Sequence, residues 1–521
     1  MTSTNRLQHL PPSKGEVWRR TPHLRALLQS ATRLSMGPSC AAREVTPKPA
    51  TSPTPPMKAI SFRAASTPIS PSSTPLCPSL SSSGLPCANS LTLSENDLTY
   101  FQYFPSSSIV HFYMKEWHWS SFRHLYQGPA AANKVIMRMI LAISASDIHR
   151  NGLVMRSPGR ATADDHARYH YTLAAKEFRQ LLETPKGQIS QTELEQVFVT
   201  MFLMVIYEWQ FGHYLSNLQL HLRGVRSLLE SQPGLFRVKD VSNVFLPVDG
   251  DGESAEPAST LSFIPEQLLL WILRYIDISC RPVSPNDSSL YDYVLESGNP
   301  ALHPDYLHRC ARLWGRCFWG EQYPDQEIMD DVENYRALEL LHVGMNLFYK
   351  TWKLWQLPVV PTADCTAETL FREIIAVRDK YSDLFLTTKY AFSAGRTLNT
   401  IYFAVSVFYA QILFHRRLLY ADRPRTAIHR QAVTNILEIV QKQFNADPRT
   451  LRRLHWPLLM AAIEADGTEQ RGWLRQRLQE LRDFHSEYAR ANQVADEVLA
   501  QQDKSGQYVD LGELLQQYHV L

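Results

Sequence analysis

The sequence predicts an all-α protein, with one large body of many helices behind a disordered N-terminal segment. Three observations lead to this prediction. Apolar residues return every three or four positions over long stretches, as they do on the inner face of a helix. Alternating apolar and polar residues between turns, the pattern typical of strands, are nearly absent. The first 93 residues hold 14 of the 32 prolines, and a chain so rich in proline cannot continue a helix.

Residues 1–93 form the predicted disordered segment. This segment is basic, rich in proline and serine, and too poor in apolar side chains to offset the entropy lost on ordering. Its net charge is +8, whereas residues 94–521 carry −6, although the whole chain is nearly neutral at +2. We therefore expect two parts, with 94–521 as one helical domain. Any attraction to polyanions should be confined to the first part.

The helical body is predicted to begin at Ser94, which has the spacing of a capping box with Asp97. The aromatic stretch 100–119 is expected to cover the core. Residues 232–264 are rich in Gly, Pro, Asp and Ser and predict a loop. The clearest helical faces consist of apolar residues three or four apart: Val135, Met139, Ile140 and Ile143; Leu215, Leu218, Leu222, Val225 and Leu229; Leu338, Leu341, Met345, Phe348, Trp352 and Trp355; Ile401, Val405, Phe408 and Ile412.

A buried helical hairpin is expected near the C-terminus. Pro457 suits the first turn of a helix, and the apolar run 458–463 is too continuous for a surface helix. Gly467 is expected to end this helix in the left-handed conformation. Asp466 and Glu469 are expected to cap the helix that follows. Two aromatic side chains should be largely buried and hold the hairpin against the body: Trp456 and Trp473.

This hairpin also carries a family resemblance. A buried helix that starts with Trp456-Pro457-Leu458 and ends in a charged bend before Trp473 resembles the C-terminal part of the fungal-specific transcription factor domain. In that family, the domain is the regulatory region that follows the DNA-binding head of zinc binuclear cluster regulators. Three more stretches resemble the family, and with the hairpin they cover most of the chain from about residue 94: 134–146, 221–229 and 268–277.

The resemblance implies a fungal transcription regulator that acts in the nucleus and is not an enzyme. In the family, the domain modulates an attached DNA-binding head and responds to metabolites or partners. The partners that the resemblance implies are the transcription machinery, another DNA-binding regulator, or a second copy of the chain in a homodimer. Two alternatives stay open: an all-α enzyme with a central cavity, similar to a terpene cyclase, and a scaffold without a ligand.

The zinc cluster head of the family is not found in this sequence. Six cysteines that include two CxxC pairs are needed to bridge two zinc ions. The seven cysteines here contain no such pair. Either the gene model has lost a first exon, or the chain is a headless regulator that acts through another protein. As written, the chain should not bind DNA sequence-specifically, since no rigid element is predicted to present side chains to base edges.

No metal or cofactor is expected. Cys310 and Cys317, with His303 and His308 nearby, are the one candidate metal set, but cysteine in an aromatic helix is more often a small buried hydrophobe. The odd, scattered cysteines also fit a reducing compartment.

Two acid pairs, at 164–165 and 330–331, invite comparison with the magnesium-binding motif DDxxD of terpene cyclases. Arg168 and Asn334 occupy the positions that would complete the two motifs. We therefore expect Asp164 and Asp165 to start a helix over 166–182, where acids suit the positive end of the dipole. The sequence predicts no catalytic residues.

Two arginine pairs are predicted to be solvated helix ends, Arg416-Arg417 and Arg452-Arg453. The longest apolar runs, 197–207 and 401–414, fall short of the roughly 20 residues that span a bilayer. No membrane association is therefore expected.

Overall fold

The computed structural model confirms the all-α prediction, because nearly all the residues that it describes are helical. The predicted disordered segment lies outside the described residues as far as residue 84. The predicted loop at 232–264 also lies largely outside them. The described ranges are 85–86, 89–113, 115–153, 161–183, 190–212, 214–239, 263–277, 289–357, 363–391, 396–420, 423–505 and 509–518.

A short hairpin precedes the helices. Strand β1 (Leu85–Pro86) pairs antiparallel with strand β2 (Thr92–Leu93). The Asn89 side-chain amide donates to the carbonyl of Ala130 at 2.8 Å, and Leu93 is buried. The packed body therefore includes residues upstream of Ser94.

The first half of the body contains eleven α-helices within the described residues. The capping box predicted for the first of them is present, with the Ser94 hydroxyl and the Asp97 carboxylate each accepting from the other's backbone N–H. The helices are α1 (Glu95–Tyr103), α2 (Ser108–Phe112), α3 (Ser121–Gln127), α4 (Pro129–Ala132), α5 (Lys134–Arg150), α6 (Ala163–Glu183), α7 (Gln191–Phe211), α8 (Leu215–Ser231), α9 (Ile264–Trp271), α10 (Leu290–Glu296) and α11 (Pro304–Trp319).

Short turns of other helix types join some of these elements. The most unusual is a π-helical segment that continues α9 over Ile272–Asp277. Such segments are rare and often lie at functional sites. The 3₁₀ turns of this half are Phe104–Ser106, Trp117–Trp119, Pro233–Leu235 and Gly320–Gln322.

The second half begins with the 32-residue helix α12. Its α-helices are α12 (Asp325–Gln356), α13 (Ala363–Lys380), α14 (Ser382–Tyr390), α15 (Arg396–Leu419), α16 (Ala427–Ala446), α17 (His455–Glu464), α18 (Thr468–Leu481), α19 (Ser486–Ser505) and α20 (Leu511–Tyr518), with 3₁₀ turns at Pro448–Leu454 and Arg482–Phe484.

The described residues form two hydrophobic cores. The first core lies between Leu93 and Cys317, where α5 packs against α6 and α7. The aromatic stretch that follows Tyr100 packs against this core, as predicted. The second core lies between Ala337 and Leu515, where α12 packs along α15 and α17 lies among its neighbours. Helices α7 and α19 meet where the two cores adjoin.

Helix α15 is longer than its apolar run suggested. Its segment Thr397–Leu419 is long and apolar enough to cross a membrane by length and composition, which corrects the prediction from run length. Because 72% of its most apolar window is buried inside the fold, the segment has the environment of a core helix. Val405, Phe408 and Ile412 are fully buried in the second core.

The C-terminal hairpin differs from the prediction at its bend. Helix α17 has Pro457 in its first turn and buries Leu458 through Ile463, as expected. However, Gly467 has φ −81°, so it does not adopt the left-handed conformation. The chain already leaves α17 in an extended conformation at Ala465, so a left-handed residue is not needed to end the helix.

The capping prediction for α18 is also wrong. Its N-cap is Gly467, which has no side chain to accept a bond. The Asp466 carboxylate instead accepts from Arg425 at 2.5 Å, because a guanidinium lies within reach.

The burial predicted for the two tryptophans of the hairpin is also wrong. Trp456 and Trp473 are both only partly buried, although each packs against the second core.

Candidate functional site

An apolar cavity lies where the two cores adjoin. Its volume is about 80 Å³, and it is partly open to solvent. Helices and turns from both cores contribute to its wall, so it depends on how the two halves pack. The lining residues are Phe112, Trp209, Arg274 and Tyr275 from the first half and Leu341, Gly344, Met345, Phe348, Phe403, Val407, Gln411, Arg453, His455, Trp456 and Glu487 from the second.

Polar contacts between the two halves hold this region together. The Trp209 indole N–H donates to Glu487 Oε2 at 2.9 Å, and Arg452 Nη2 donates to Asn151 Oδ1 at 3.1 Å. Arg150 on α5 donates to Ser486 Oγ, the first residue of α19, at 3.3 Å. Each of these bonds joins a residue of the first half to a residue of the second half. Together they fix the two halves relative to each other around the cavity.

Arg274 is the most unusual residue of the lining. It projects from the π-helical segment and is 6% exposed. Its Nη2 donates to Nδ1 of His308 at 3.2 Å and to Nδ1 of His342 at 3.3 Å. The two imidazole rings are stacked with their centroids 4.4 Å apart, and His342 Nε2 contacts Asp305 Oδ1 at 2.7 Å.

The histidines beside Arg274 are neutral at physiological pH. Burial and the neighbouring Arg274 guanidinium lower the pKa of His342 to about 4. The same two causes lower the pKa of His308 further below its ordinary value. Neutral imidazoles can accept from a guanidinium but cannot balance its charge. The side-chain contacts that Arg274 makes among the described residues are with these imidazoles and not with a carboxylate.

Arg453 and Glu487 bring two more charges to the cavity wall. Arg453 donates to the carbonyl of His111, and burial lowers the pKa of its guanidinium to about 10. Both carboxylate oxygens of Glu487 are engaged, one by Trp209 and the other by His455 Nε2 at 3.2 Å. Gln411 donates to Thr351 Oγ1 at 2.8 Å, while its Oε1 has no hydrogen-bond partner within the described ranges.

Gly344 leaves part of the wall open. It lies in the buried part of α12, and a Cβ added to it would have no atom within 4 Å outside the local helix. Glycine inside a helix costs about 1 kcal/mol relative to alanine, and no close packing requires it here. The glycine therefore leaves room beside the cavity that a larger side chain would occupy.

The arginine pair at 416–417 is not a solvated helix end, which corrects the prediction. Arg416 and Arg417 are 2% and 0% exposed and bind the two oxygens of Glu464 at 3.1 and 3.0 Å. The last turn of α15 is interior, because α17 packs across it and supplies the counter-charge. This cluster stabilises the second core and does not line the cavity.

The second arginine pair is also misassigned by the sequence. Arg452 and Arg453 lie in a 3₁₀ turn and are partly buried. Arg452 stacks over the ring of Phe484 at 4.1 Å, and Arg453 points to the contact between the two halves. Both are packing residues at the boundary of the cores.

The candidate metal set at 303–317 does not assemble. Cys310 and Cys317 are buried free thiols, and burial raises the pKa of Cys310 to about 11, which keeps it protonated. His308 is engaged by Arg274, and His303 caps α11 by accepting from the Asp305 N–H. No group of three His, Cys, Asp or Glu within the described residues is placed to hold a metal ion.

The two acid pairs are engaged in separate local contacts. Asp165 Oδ2 accepts from the Thr162 N–H at 2.9 Å and starts α6, and Asp164 pairs with Arg168 one turn later. The predicted helix start is therefore confirmed. Asp331 accepts from Lys115 Nζ and Tyr323 Oη, both at 2.7 Å. None of the four acids lines the cavity.

Sequence reasoning missed the cavity and its arginine. One signal was available, since Arg274 interrupts the apolar run 268–276 that otherwise predicts a fully buried helix. Gly344, in the middle of a long helical pattern, was a second signal. That Arg274 and Gly344, 70 residues apart in the chain, line the same cavity could not be predicted from any local sequence pattern.

These features define an all-α domain with a cavity between its two cores. The wall of the cavity is mostly apolar and includes a few charged side chains. The model of the fungal specific transcription factor domain matches residues 98–299 and 367–520. The chain belongs to this family and is a fungal transcription regulator, which confirms the resemblance in the four sequence stretches. No curated protein and no solved structure matches the chain.

Proposed function

We propose that this chain is the regulatory, non-DNA-reading part of a fungal zinc cluster regulator and acts in the nucleus. The observation that carries the proposal is the family match, which spans segments of both cores. The charge of the chain supports it. Residues 94–521 carry −6 and would repel DNA phosphates, whereas the positive charge is concentrated in residues 1–93.

DNA reading is then supplied from outside the helical body, by a zinc cluster head or by a partner regulator. The helical body passes its effect on through the transcription machinery, another DNA-binding regulator or a second copy of the chain. An enzymatic role is less well supported. The acid pairs that prompted the comparison with terpene cyclases are bound to neighbouring side chains and backbone, and lie away from the cavity.

A tethering experiment tests this proposal. The full chain is fused to a heterologous DNA-binding domain and expressed in a fungal cell with a reporter that carries the matching sites. We expect the fusion to change reporter output severalfold relative to the DNA-binding domain alone. A matched fusion with Glu464→Ala, which should disrupt the second core, should lose the effect. An output equal to that of the DNA-binding domain alone, from a fusion shown to be folded and nuclear, would contradict the proposal.

A further inference from the structure

We propose that the cavity between the two cores binds a small monocarboxylate with an apolar body, such as a branched aliphatic or aromatic acid. The proposal rests on the geometry of Arg274 and the cavity wall. It does not depend on the regulatory role, because the binding can be measured on the purified chain.

The charge of Arg274 is the first argument. A guanidinium that is 6% exposed normally faces a carboxylate, because an uncompensated buried charge costs several kcal/mol. Among the described residues its hydrogen-bond partners are two neutral imidazoles, and its Nε has no partner. Asp305 reaches Arg274 only through His342. A bound carboxylate would supply the missing counter-charge and an acceptor.

The balance of charge around the cavity indicates a monoanion. Arg274 and Arg453 contribute two positive charges to the lining, and Glu487 contributes one negative charge. The lining therefore carries a net charge of +1. One carboxylate would neutralise this charge, whereas a phosphate dianion would leave a net negative charge. A planar carboxylate also matches the fork of guanidinium donors.

The remaining wall selects an apolar body. Aromatic and aliphatic side chains form most of it, among them Phe348, Phe403 and Trp456. The volume of about 80 Å³ is roughly half of the apolar cavity of ~150 Å³ known to bind benzene. The ligand is therefore small, or extends from the enclosed space into the open mouth. A sugar or nucleotide would bury polar groups without partners against this wall.

Gly344 provides the second, independent observation. A Cβ added to this glycine would have no atom within 4 Å outside the local helix, although the residue is buried and lines the cavity. A leucine at position 344 would fill this space and leave the Arg274 guanidinium in the protein. The variant therefore tests the cavity separately from the charge.

The test uses the purified full-length chain and two acids, isovalerate and benzoate. Their neutral amides, isovaleramide and benzamide, and inorganic phosphate serve as comparison ligands. Binding is measured by calorimetric titration and by the shift in melting temperature. We expect at least one acid to bind about tenfold or more tightly than its own amide and than phosphate, because the amide loses the charge-assisted bond to Arg274.

Three variants complete the test. Arg274→Met should weaken acid binding about tenfold or more while amide binding is unchanged. Gly344→Leu should abolish binding of both acid and amide while the protein stays folded. Arg475→Met removes a half-exposed arginine that pairs with Asp496 and should not change the binding of the acids or amides. If Arg274→Met does not fold, the comparison of each acid with its amide tests the role of the charge, and Gly344→Leu tests the cavity.

Three results would overturn the proposal. One is equal affinity for acid and amide, which would remove the role of the charge. Another is phosphate binding as tight as that of the acids, which would indicate a general anion site. The third is undiminished binding by folded Gly344→Leu, which would place the ligand elsewhere.

Discussion

Arg417 and Glu464 form an ion pair at 3.0 Å in which neither side chain is exposed to solvent. Arg416 binds the other carboxylate oxygen at 3.1 Å. Because the two arginines lie in the last turn of α15 and Glu464 ends α17, one carboxylate joins two core helices. Such clusters depend strongly on their central member, since its loss leaves buried charges without compensation.

Replacing Glu464 with alanine should therefore destabilise the protein by roughly 3–5 kcal/mol. The measurement is denaturant unfolding of the full chain. Asp466→Asn is the matched control, because this neighbouring carboxylate also pairs with an arginine, Arg425, but its side chain is 57% exposed. Its loss should cost less than about 1 kcal/mol. Equal losses for both variants would show that the buried cluster contributes no more than a surface pair.

Buried histidines should make the protein sensitive to acid. Burial lowers the pKa of His415, which is 1% exposed, to about 4, although its bond to the Ala367 carbonyl acts the other way. In the unfolded chain the pKa is about 6.5, so between these values the unfolded state binds more protons. The contribution of His415 to stability is therefore lost as the pH falls from 6.5 towards 4.

His415→Gln tests this expectation, since a glutamine amide can still donate to Ala367 but does not titrate. The free energy of unfolding should fall less steeply between pH 6.5 and 4 in the variant, by up to roughly 3 kcal/mol at the acid end. His118→Gln, at an exposed position, controls for the effect of the histidine-to-glutamine substitution itself. Identical profiles for wild type and His415→Gln would show that this imidazole does not contribute.

Trp456 should stabilise the contact between α17 and its neighbours despite being only partly buried. Its ring meets those of Phe348 and Phe414 edge-on, at centroid distances of 5.4 and 5.3 Å. We expect Trp456→Ala to cost about 3 kcal/mol in denaturant unfolding. Tyr390→Ala, at a residue that is 66% exposed, should cost less than about 0.5 kcal/mol. A cost below about 1 kcal/mol for Trp456→Ala would show that this ring does not contribute to the packing of α17.

Deleting residues 1–84 should leave the melting temperature of the body unchanged, because the sequence of this segment offers little that could pack. Deleting residues 1–93 should lower the melting temperature, since that cut also removes the Asn89 bond to Ala130 and the buried side chain of Leu93. A large drop after the shorter deletion would mean that the N-terminal segment is part of the folded body.

The sequence predicted the helices because their signal is local. The spacing of Leu215 to Leu229 and the pair Ser94 and Asp97 each fall within one element, and the structure contains both. The environment of Arg417 could not be predicted in this way. An arginine near a helix end is usually solvated, and its partner Glu464 lies 47 residues further along the chain. The cavity could not be predicted for the same reason, since its wall combines residues that lie between Phe112 and Glu487 in the sequence.

The central claim is that this chain regulates transcription without reading DNA itself. The most direct measurement is a binding selection from random duplexes near physiological salt, with the purified 521-residue chain and, in parallel, the chain fused to a DNA-binding domain of known motif. We predict that the fusion enriches only the motif of the added domain, while the chain alone enriches none and shows at most weak, salt-dependent binding. An enriched motif recovered by the chain alone would contradict the account.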